Sequence, residues 1–210
     1  MSTYGKLYVR VGPMFSGKST WLRDSLTQYS DIISSDPNKN CRILIINHSY
    51  DIRSGKKSIS NHSSQFVMVS GKIDIICSLQ LADVNVSDYD IIGIDEANLF
   101  TDLVETTKIL LSKGKFVYVA GLDADYMNEP FGDIAKLLPL ATEFKKMCAI
   151  CTDCIDQMKK NNILITPDLL PLAAHTFRLV DSTARILIGG AKEYTSLCTH
   201  HYYLRQVKQN

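Results

Sequence analysis

The stretch Val11-Gly12-Pro13-Met14-Phe15-Ser16-Gly17-Lys18-Ser19-Thr20 restricts the folds open to this chain more than any other. From Gly12 to Ser19 it reads G-x-x-x-x-G-K-S. Just before it, Leu7, Val9 and Val11 alternate apolar, as a short strand does. Just after it, Trp21, Leu22, Ser25, Leu26 and Tyr29 follow helical spacing. Strand, glycine-bounded loop and helix, in that order, form a P-loop, whereas a chance glycine-rich turn lacks those neighbours. A phosphate chain needs several backbone N–H groups aimed at it, and Gly12 and Gly17 let the backbone turn that tightly. The helix N-terminus adds partial positive charge. In such loops the lysine, here Lys18, reaches the outer phosphates, and the hydroxyl, here Ser19, ligates Mg²⁺.

A P-loop implies a parallel sheet, and the rest of the chain supplies the strands. Cys41 to Asn47 is a near-continuous apolar run, as expected of a strand buried on both faces. Phe66-Val67-Met68-Val69 reads as a short strand, and Ile73, Ile76, Cys77 and Leu79 suit a helix. Tyr89 to Ile94 is a further buried strand, Leu103, Thr107, Leu110 and Leu111 mark a helix, and Phe116 to Ala120 the next strand. Polar stretches at Ser30 to Asn40 and His48 to Gln65 read as loops. Strands alternating with helices predict an α/β fold with a mostly parallel sheet. With 210 residues, 45% of them hydrophobic, the chain is one generous domain or one domain with an appendage. The expected division is a P-loop nucleotide-binding domain over 1–145 and a small C-terminal unit over 146–210. A net charge of +1 offers no broad footprint for nucleic acid or membrane. The N-terminal residues show no signal peptide and no stretch spans a bilayer, so the expected location is cytoplasmic.

Two further groups carry chemistry. The strand ending at Ile94 delivers Asp95-Glu96, a Walker-B-like pair. The Asp of such a pair holds the Mg²⁺ shell and the Glu is placed to accept a proton; a solvated acidic pair at a strand end is the plainer alternative. Six cysteines in a cytosolic chain read as thiols or metal ligands. Cys151-x-x-Cys154 with Cys198-x-x-His201 makes a Cys₃His set of the kind structural Zn²⁺ prefers. Cys148-x-x-Cys151 has the same spacing and His200 adjoins His201, so spacing alone leaves the register open. Buried free thiols beside a surface histidine pair are the alternative, and a redox C-x-x-C leaves the second pair unexplained.

In order along the chain, these motifs resemble those of the type II, or cellular-type, thymidine kinase family. Gly12 to Ser19 is that family's P-loop, and Asp51-Ile52-Arg53 matches its D-x-R. Ile94-Asp95-Glu96-Ala97-Asn98-Leu99-Phe100 matches its I-D-E-x-Q-F-F. Gly121-Leu122-Asp123-Ala124-Asp125-Tyr126 with Pro130-Phe131-Gly132 matches G-L-D-x-x-F…P-F-G. Ala174-His175-Thr176-Phe177-Arg178 resembles the A-x-T-x-R that opens a substrate-covering lasso, and Ile188-Gly189-Gly190-Ala191-Lys192-Glu193-Tyr194 the I-G-G-x-x-x-Y that closes it.

The resemblance implies phosphorylation of thymidine, or deoxyuridine, at the 5′-hydroxyl by ATP and Mg²⁺, within deoxynucleotide salvage for DNA synthesis. It implies Glu96 as general base, with Asp95 and Ser19 holding Mg²⁺. Gly12, Pro13, Met14, Phe15, Ser16, Gly17, Lys18, Asp51, Arg53 and Asn98 fall to the ATP side. Met14, Leu122, Tyr126, Phe131 and Thr176 would line the base pocket. Backbone groups of Arg185, Ile186, Leu187, Ile188 and Gly189 would bond the base, and Tyr194 would help position the nucleoside. Structural Zn²⁺ on Cys151, Cys154, Cys198 and His201 would tie the lasso to the main domain. A homotetramer and feedback inhibition by thymidine triphosphate are family expectations, with no nucleic acid or membrane as partner.

Four departures stand out: Asn98 for Gln, Tyr126 for Phe, His201 for the fourth Cys, and a longer segment from Ile155 to Leu172, expected as a surface excursion. Two other readings share the bare motifs. A zinc-ribbon ATPase gripping nucleic acid would show a basic stripe with interleaved aromatics, and Lys56-Lys57 with the tail from Arg205 to Lys208 is too thin for one. A regulator that has lost catalysis would be expected to lack Lys18 or Glu96, and both are present.

Overall fold

Leu7, Val9 and Val11, the alternating apolar positions before the glycine loop, are buried on a strand one in from the edge of a six-stranded sheet. The computed structural model describes residues 4–34, 41–50 and 73–209. The strands are β1 (Lys6–Val11), β2 (Ile43–His48), β3 (Ile73–Ser78), β4 (Ile91–Ile94), β5 (Phe116–Gly121) and β6 (Glu143–Lys146). They lie in the order β3-β2-β4-β5-β1-β6, and every pairing is parallel. β2 and β4 are buried at every position, which is why Ile43 to Ile46 and Ile91 to Ile94 run without polar alternation.

Helix α1 (Lys18–Ser34) covers one face and α2 (Leu103–Ser112) the other. Leu22 and Leu26, one turn apart on α1, pack with Ile43, Ile45 and Tyr118. Gly93 in β4 makes that approach close, since a Cβ there would lie 2.6 Å from Leu26 Cδ1. On the other face Leu103 and Leu110 of α2 join Val9, Ile92, Val117 and Val119.

The remaining chain forms a smaller unit. β7 (Ala149–Ile150) pairs antiparallel with β8 (Leu172–Ala173), and β9 (His175–Arg178) with β10 (Tyr194–Leu197). Helices α3 (Thr152–Lys160) and α4 (Thr199–Gln209) flank them. Ala149, Cys151, Ala173, Phe177, Leu197 and Tyr202 make its own core. Among the described residues no helix is long and apolar enough to cross a membrane.

The structure corrects some expectations. Ile73 to Ser78 is a strand, not part of a helix. The i, i+3 match of Ile73 and Ile76 sits in a run too short for a stable helix and rich in β-branched isoleucine, and pairing with β2 along its length decides it. Helix α1 continues past Ser30 to Ser34, into the expected loop, with Ile32 exposed. β6 had no apolar signature: in Glu143-Phe144-Lys145-Lys146 only Phe144 packs on the core, as an edge strand allows. The expected strand at 66–69, with Asp51 and Arg53, lies outside the described residues.

Candidate active site

The P-loop runs from the carboxyl end of β1 into α1 at the rim where β4 and β5 also end. In parallel sheets this is the side on which ligands bind. Gly12 has φ +148° and a Cβ there would fall 2.2 Å from the Met147 carbonyl oxygen, so only glycine fits. Phe15, which is not glycine, also has positive φ, at 63°. The loop binds itself from within: Ser16 Oγ donates to the Pro13 carbonyl at 2.8 Å, and Lys18 Nζ donates to the same oxygen at 2.6 Å. Burial pushes the Lys18 ammonium below the usual lysine value, while Glu96, Asp95 and Asp123 pull the other way. A polyphosphate beside Lys18 would favour its charged form further.

Asp95 is buried at the end of β4, its N–H bonded to the Ile46 carbonyl at 3.0 Å. Ser19 Oγ donates to Asp95 Oδ1 at 3.0 Å. That separation fits two neighbouring ligands of an octahedral ion with bonds of about 2.1 Å, the Mg²⁺ value. Glu96 has left-handed backbone, φ 50° and ψ 38°, and its N–H donates to Asp95 Oδ1 at 3.0 Å. Non-glycine residues in this conformation cost of order 1–3 kcal/mol and gather at active sites. The turn ends the strand abruptly and sets Glu96 on the cavity wall.

A cavity of about 390 Å³ opens from this rim, within the range of small-molecule sites. Lys18, Ser19, Asp95 and Glu96 are part of its lining. The expected base-pocket residues Met14, Leu122, Tyr126, Phe131, Thr176 and Tyr194 line the same cavity, as do Arg185 to Gly189. Asn98 lines it too, but its Oδ1 accepts the Leu122 N–H at 2.8 Å, so it braces the neighbouring loop. Gly12, Pro13 and Ser16 belong to the same loop and are not part of the lining.

Two hydroxyls tie the P-loop to the smaller unit. The Met14 N–H donates to Thr176 Oγ1 at 3.0 Å, and Ser196 Oγ donates to the Met14 carbonyl at 2.6 Å. Both hydroxyls stand opposite each other in the β9–β10 register.

Arg178, at the end of the A-x-T-x-R segment, organises the connection that follows it. Its guanidinium donates to the carbonyls of Ser182, Ala184 and Arg185 and to the Tyr194 hydroxyl at 3.0 Å. It lies 3.6 Å from the centre of the Tyr126 ring, a cation–π contact. Tyr194 in turn donates to the Leu187 carbonyl at 2.7 Å. An arginine followed by many backbone acceptors was the only signal in the sequence, and it does not name those acceptors.

Behind the hairpin, Cys151, Cys154, Cys198 and His201 converge, their ligand atoms all within 4.8 Å of one another. His201 Nδ1 is 3.3 Å from Cys154 Sγ, 3.3 Å from Cys198 Sγ and 3.6 Å from Cys151 Sγ. Cys154 and Cys198 are 3.7 Å apart. A tetrahedron with metal–sulfur bonds of about 2.3 Å and a metal–nitrogen bond of about 2.0 Å has edges of about 3.5–3.8 Å, so the four residues could hold Zn²⁺. Cys148 is exposed and outside the group, and His200 is exposed. Gln157 meets His201 Nε2 at 3.0 Å. With Nδ1 on a metal, Nε2 carries the proton, and the carboxamide turns its oxygen towards it. Burial and the thiols of Cys151 and Cys198 push the Cys154 thiol up to about 12. Burial also opposes ionisation of Cys198, but the N–H groups of His201 and His200 and the neighbouring thiols hold it below the usual thiol value. A divalent cation at the centre would draw the proton from every thiol it binds. The segment after Cys154 is a surface excursion, as expected, with Ile163, Leu164, Ile165 and Leu169 exposed.

A family model described as thymidine kinase matches residues 5–202. The thymidine kinase of sheeppox virus is 32% identical over 208 residues, covering 96% of this chain and 98% of that protein. The cytosolic thymidine kinase of Gallus gallus is 31% identical over 98% of this chain and 80% of its own length. Thymidine kinase 1 of Dictyostelium discoideum is 32% identical over 98% and 81% respectively.

Proposed function

The chain belongs to the thymidine kinase family and is a nucleoside kinase, and we propose that it moves the terminal phosphoryl group of ATP to the 5′-hydroxyl of thymidine or deoxyuridine. The observation that carries this reading is one cavity lined both by Lys18, Ser19, Asp95 and Glu96 and by Tyr126, Phe131 and residues 185–189. A nucleoside seated under the lasso directs its sugar towards the carboxylate rim.

The residues divide the work. P-loop N–H groups and Lys18 hold the phosphates and offset charge as it spreads over the transferred group. Ser19 and Asp95 would hold Mg²⁺, and the ion would supply positive charge against the negative charge that develops on the transferred group. The Glu96 carboxylate accepts the 5′-hydroxyl proton as the new O–P bond forms and the bond from phosphorus to the ADP oxygen breaks. Phosphoryl transfer is mostly positioning and electrostatics, which suits a site with strained backbone at Phe15 and Glu96. Asp51 and Arg53 would complete the phosphate side. Structural Zn²⁺ on Cys151, Cys154, Cys198 and His201 would fix the base of the lasso. The cytosolic label of the Gallus gallus relative supports a cytosolic location.

The test measures ADP release from ATP and Mg²⁺ with thymidine, deoxyuridine, deoxycytidine or single-stranded DNA added separately. Thymidine should drive release with formation of thymidine monophosphate. Stimulation by DNA without that product overturns the kinase reading.

A further inference from the structure

The connection from 179 to 193 has no helix or strand, yet it walls the cavity at Arg185 to Gly189. Arg178 and Tyr194 fasten it to its own hairpin. The Arg185 side chain makes a different contact. Its Nε donates to Asp125 Oδ2 at 2.8 Å and its Nη2 donates to the Pro130 carbonyl at 2.6 Å, both on the loop that follows β5. The same guanidinium lies 5.7 Å from the centre of the Phe131 ring. One forked side chain therefore reaches from the lasso to the loop after β5, and both partners Arg185 and Asp125 line the cavity.

The partner is built for this contact. The Asp125 side chain is 1% exposed, against 52% for Arg185. Asp125 Oδ1 already accepts the N–H groups of Met127 and Glu129, each at 3.0 Å. Those bonds hold the carboxylate in one rotamer and leave Oδ2 facing Arg185. An exposed ion pair contributes little, but a buried carboxylate that loses its cation is left uncompensated. The fork reaches a carboxylate and a carbonyl together, which the single ammonium of lysine cannot copy.

We propose that Arg185 and Asp125 form a latch that holds the lasso closed over the nucleoside, so that both are positioning residues for substrate affinity. This rests on the reading above, in which the cavity takes the nucleoside. The Arg185 side chain thereby gains a role beyond the backbone contacts expected at its position. Closing the cover fixes where the 185–189 backbone groups stand and excludes water from the base, and neither residue touches the transferred group. The latch therefore acts on nucleoside KM and leaves kcat nearly intact.

Asp125→Asn is the sharpest test, because the amide oxygen keeps both turn bonds while the NH₂ faces the arginine donors. We expect nucleoside KM to rise roughly tenfold and kcat to change by less than about threefold, the scale of one lost charged hydrogen bond. ATP KM should hold. Arg185→Ala should match it, and the double variant should be no worse than either single one. Should Arg185→Ala misfold through its unpaired carboxylate, the double variant carries the test, since it lacks that charge. Hydrogen exchange on the ligand-free protein supplies a readout that needs no substrate. Amides of 180–189 should exchange faster in each variant, with those of β1 and β5 unchanged. Unaltered KM and unaltered exchange in Asp125→Asn, or effects that multiply in the double variant, overturn the latch. A wild type that phosphorylates no nucleoside would sink the kinase reading instead, and the exchange result would still decide whether the latch exists.

Discussion

At one end of the cavity, consecutive residues from Gly12 to Ser19 supply the loop, its glycines and its lysine; at the other, the chain from 179 to 193 takes its shape from Arg178, Arg185 and Tyr194. The phosphate end is held by backbone geometry, with Gly12 fitted under Met147 and Phe15 and Glu96 in left-handed conformations. The base end is held by side chains that reach distant carbonyls and a distant carboxylate. Rigid local backbone suits a charge pattern common to all nucleoside triphosphates. On the proposed reading, a cover held by a few long side chains suits a part that would open for each nucleoside. Met14 joins the two, its N–H and carbonyl bonded to Thr176 and Ser196 of the cover's hairpin.

The largest effect should fall at the rigid end. Glu96→Gln keeps shape and removes the base, and we expect kcat to drop by about 10²–10⁴-fold with both KM values little changed. Single-turnover rates with saturating thymidine would measure it. Activity within a few-fold of wild type would deny Glu96 that role and leave positioning as the whole chemistry.

Next comes the Cys₃His group. Cys154→Ser should lose one zinc per chain, lower the melting temperature and raise thymidine KM, because a metal closing the span from 151 to 201 restricts the hairpin that carries the cover. Cys148→Ser should keep the metal, since Cys148 is exposed and apart from the cluster. Metal content of both variants, measured on purified protein, checks this. Loss of zinc from Cys148→Ser would mean the ligand pair is Cys148 and Cys151.

The smallest effect tests whether the two ends are independent. Ser196→Ala leaves the buried Met14 carbonyl without its donor, at a cost of about 1–3 kcal/mol. ATP KM should rise a few-fold along with thymidine KM, because the P-loop backbone is what loses its tie. A rise in thymidine KM alone would show that the phosphate loop stands without the cover.

The same contrast explains what could be read from the residues. Gly12 to Ser19, Asp95-Glu96 and the Cys/His pairs are contiguous or closely spaced, so their chemistry shows in the sequence. Lining residues such as Tyr126 and Phe131 were legible through order and resemblance. Strand order was not, because parallel pairing leaves no local mark, and β6 carries one core residue, too few for a pattern. Ile73 to Ser78 misled because a short isoleucine-rich run satisfies both periods. The left-handed turn at Glu96 gave no sign, since non-glycine residues take that conformation only when the surrounding fold holds them there. Asp125 and Arg185 lie sixty positions apart, and nothing local pairs them.

The place of β1 in the sheet has a consequence for synthesis. Of the six strands of the main sheet it leaves the ribosome first, yet both its neighbours, β5 and β6, come in the second half of the chain. Until residues 116–121 have been made it has no edge to join, and the Met147 N–H that bonds Val11 follows later still. The nucleotide loop attached to β1 therefore cannot settle while the chain is growing through its middle. For most of translation the apolar positions Leu7, Val9 and Val11 need shelter from other chains. The loop between β1 and α1 can therefore take its final place only after residue 147 has been made, ahead of the β9–β10 hairpin bonded to it.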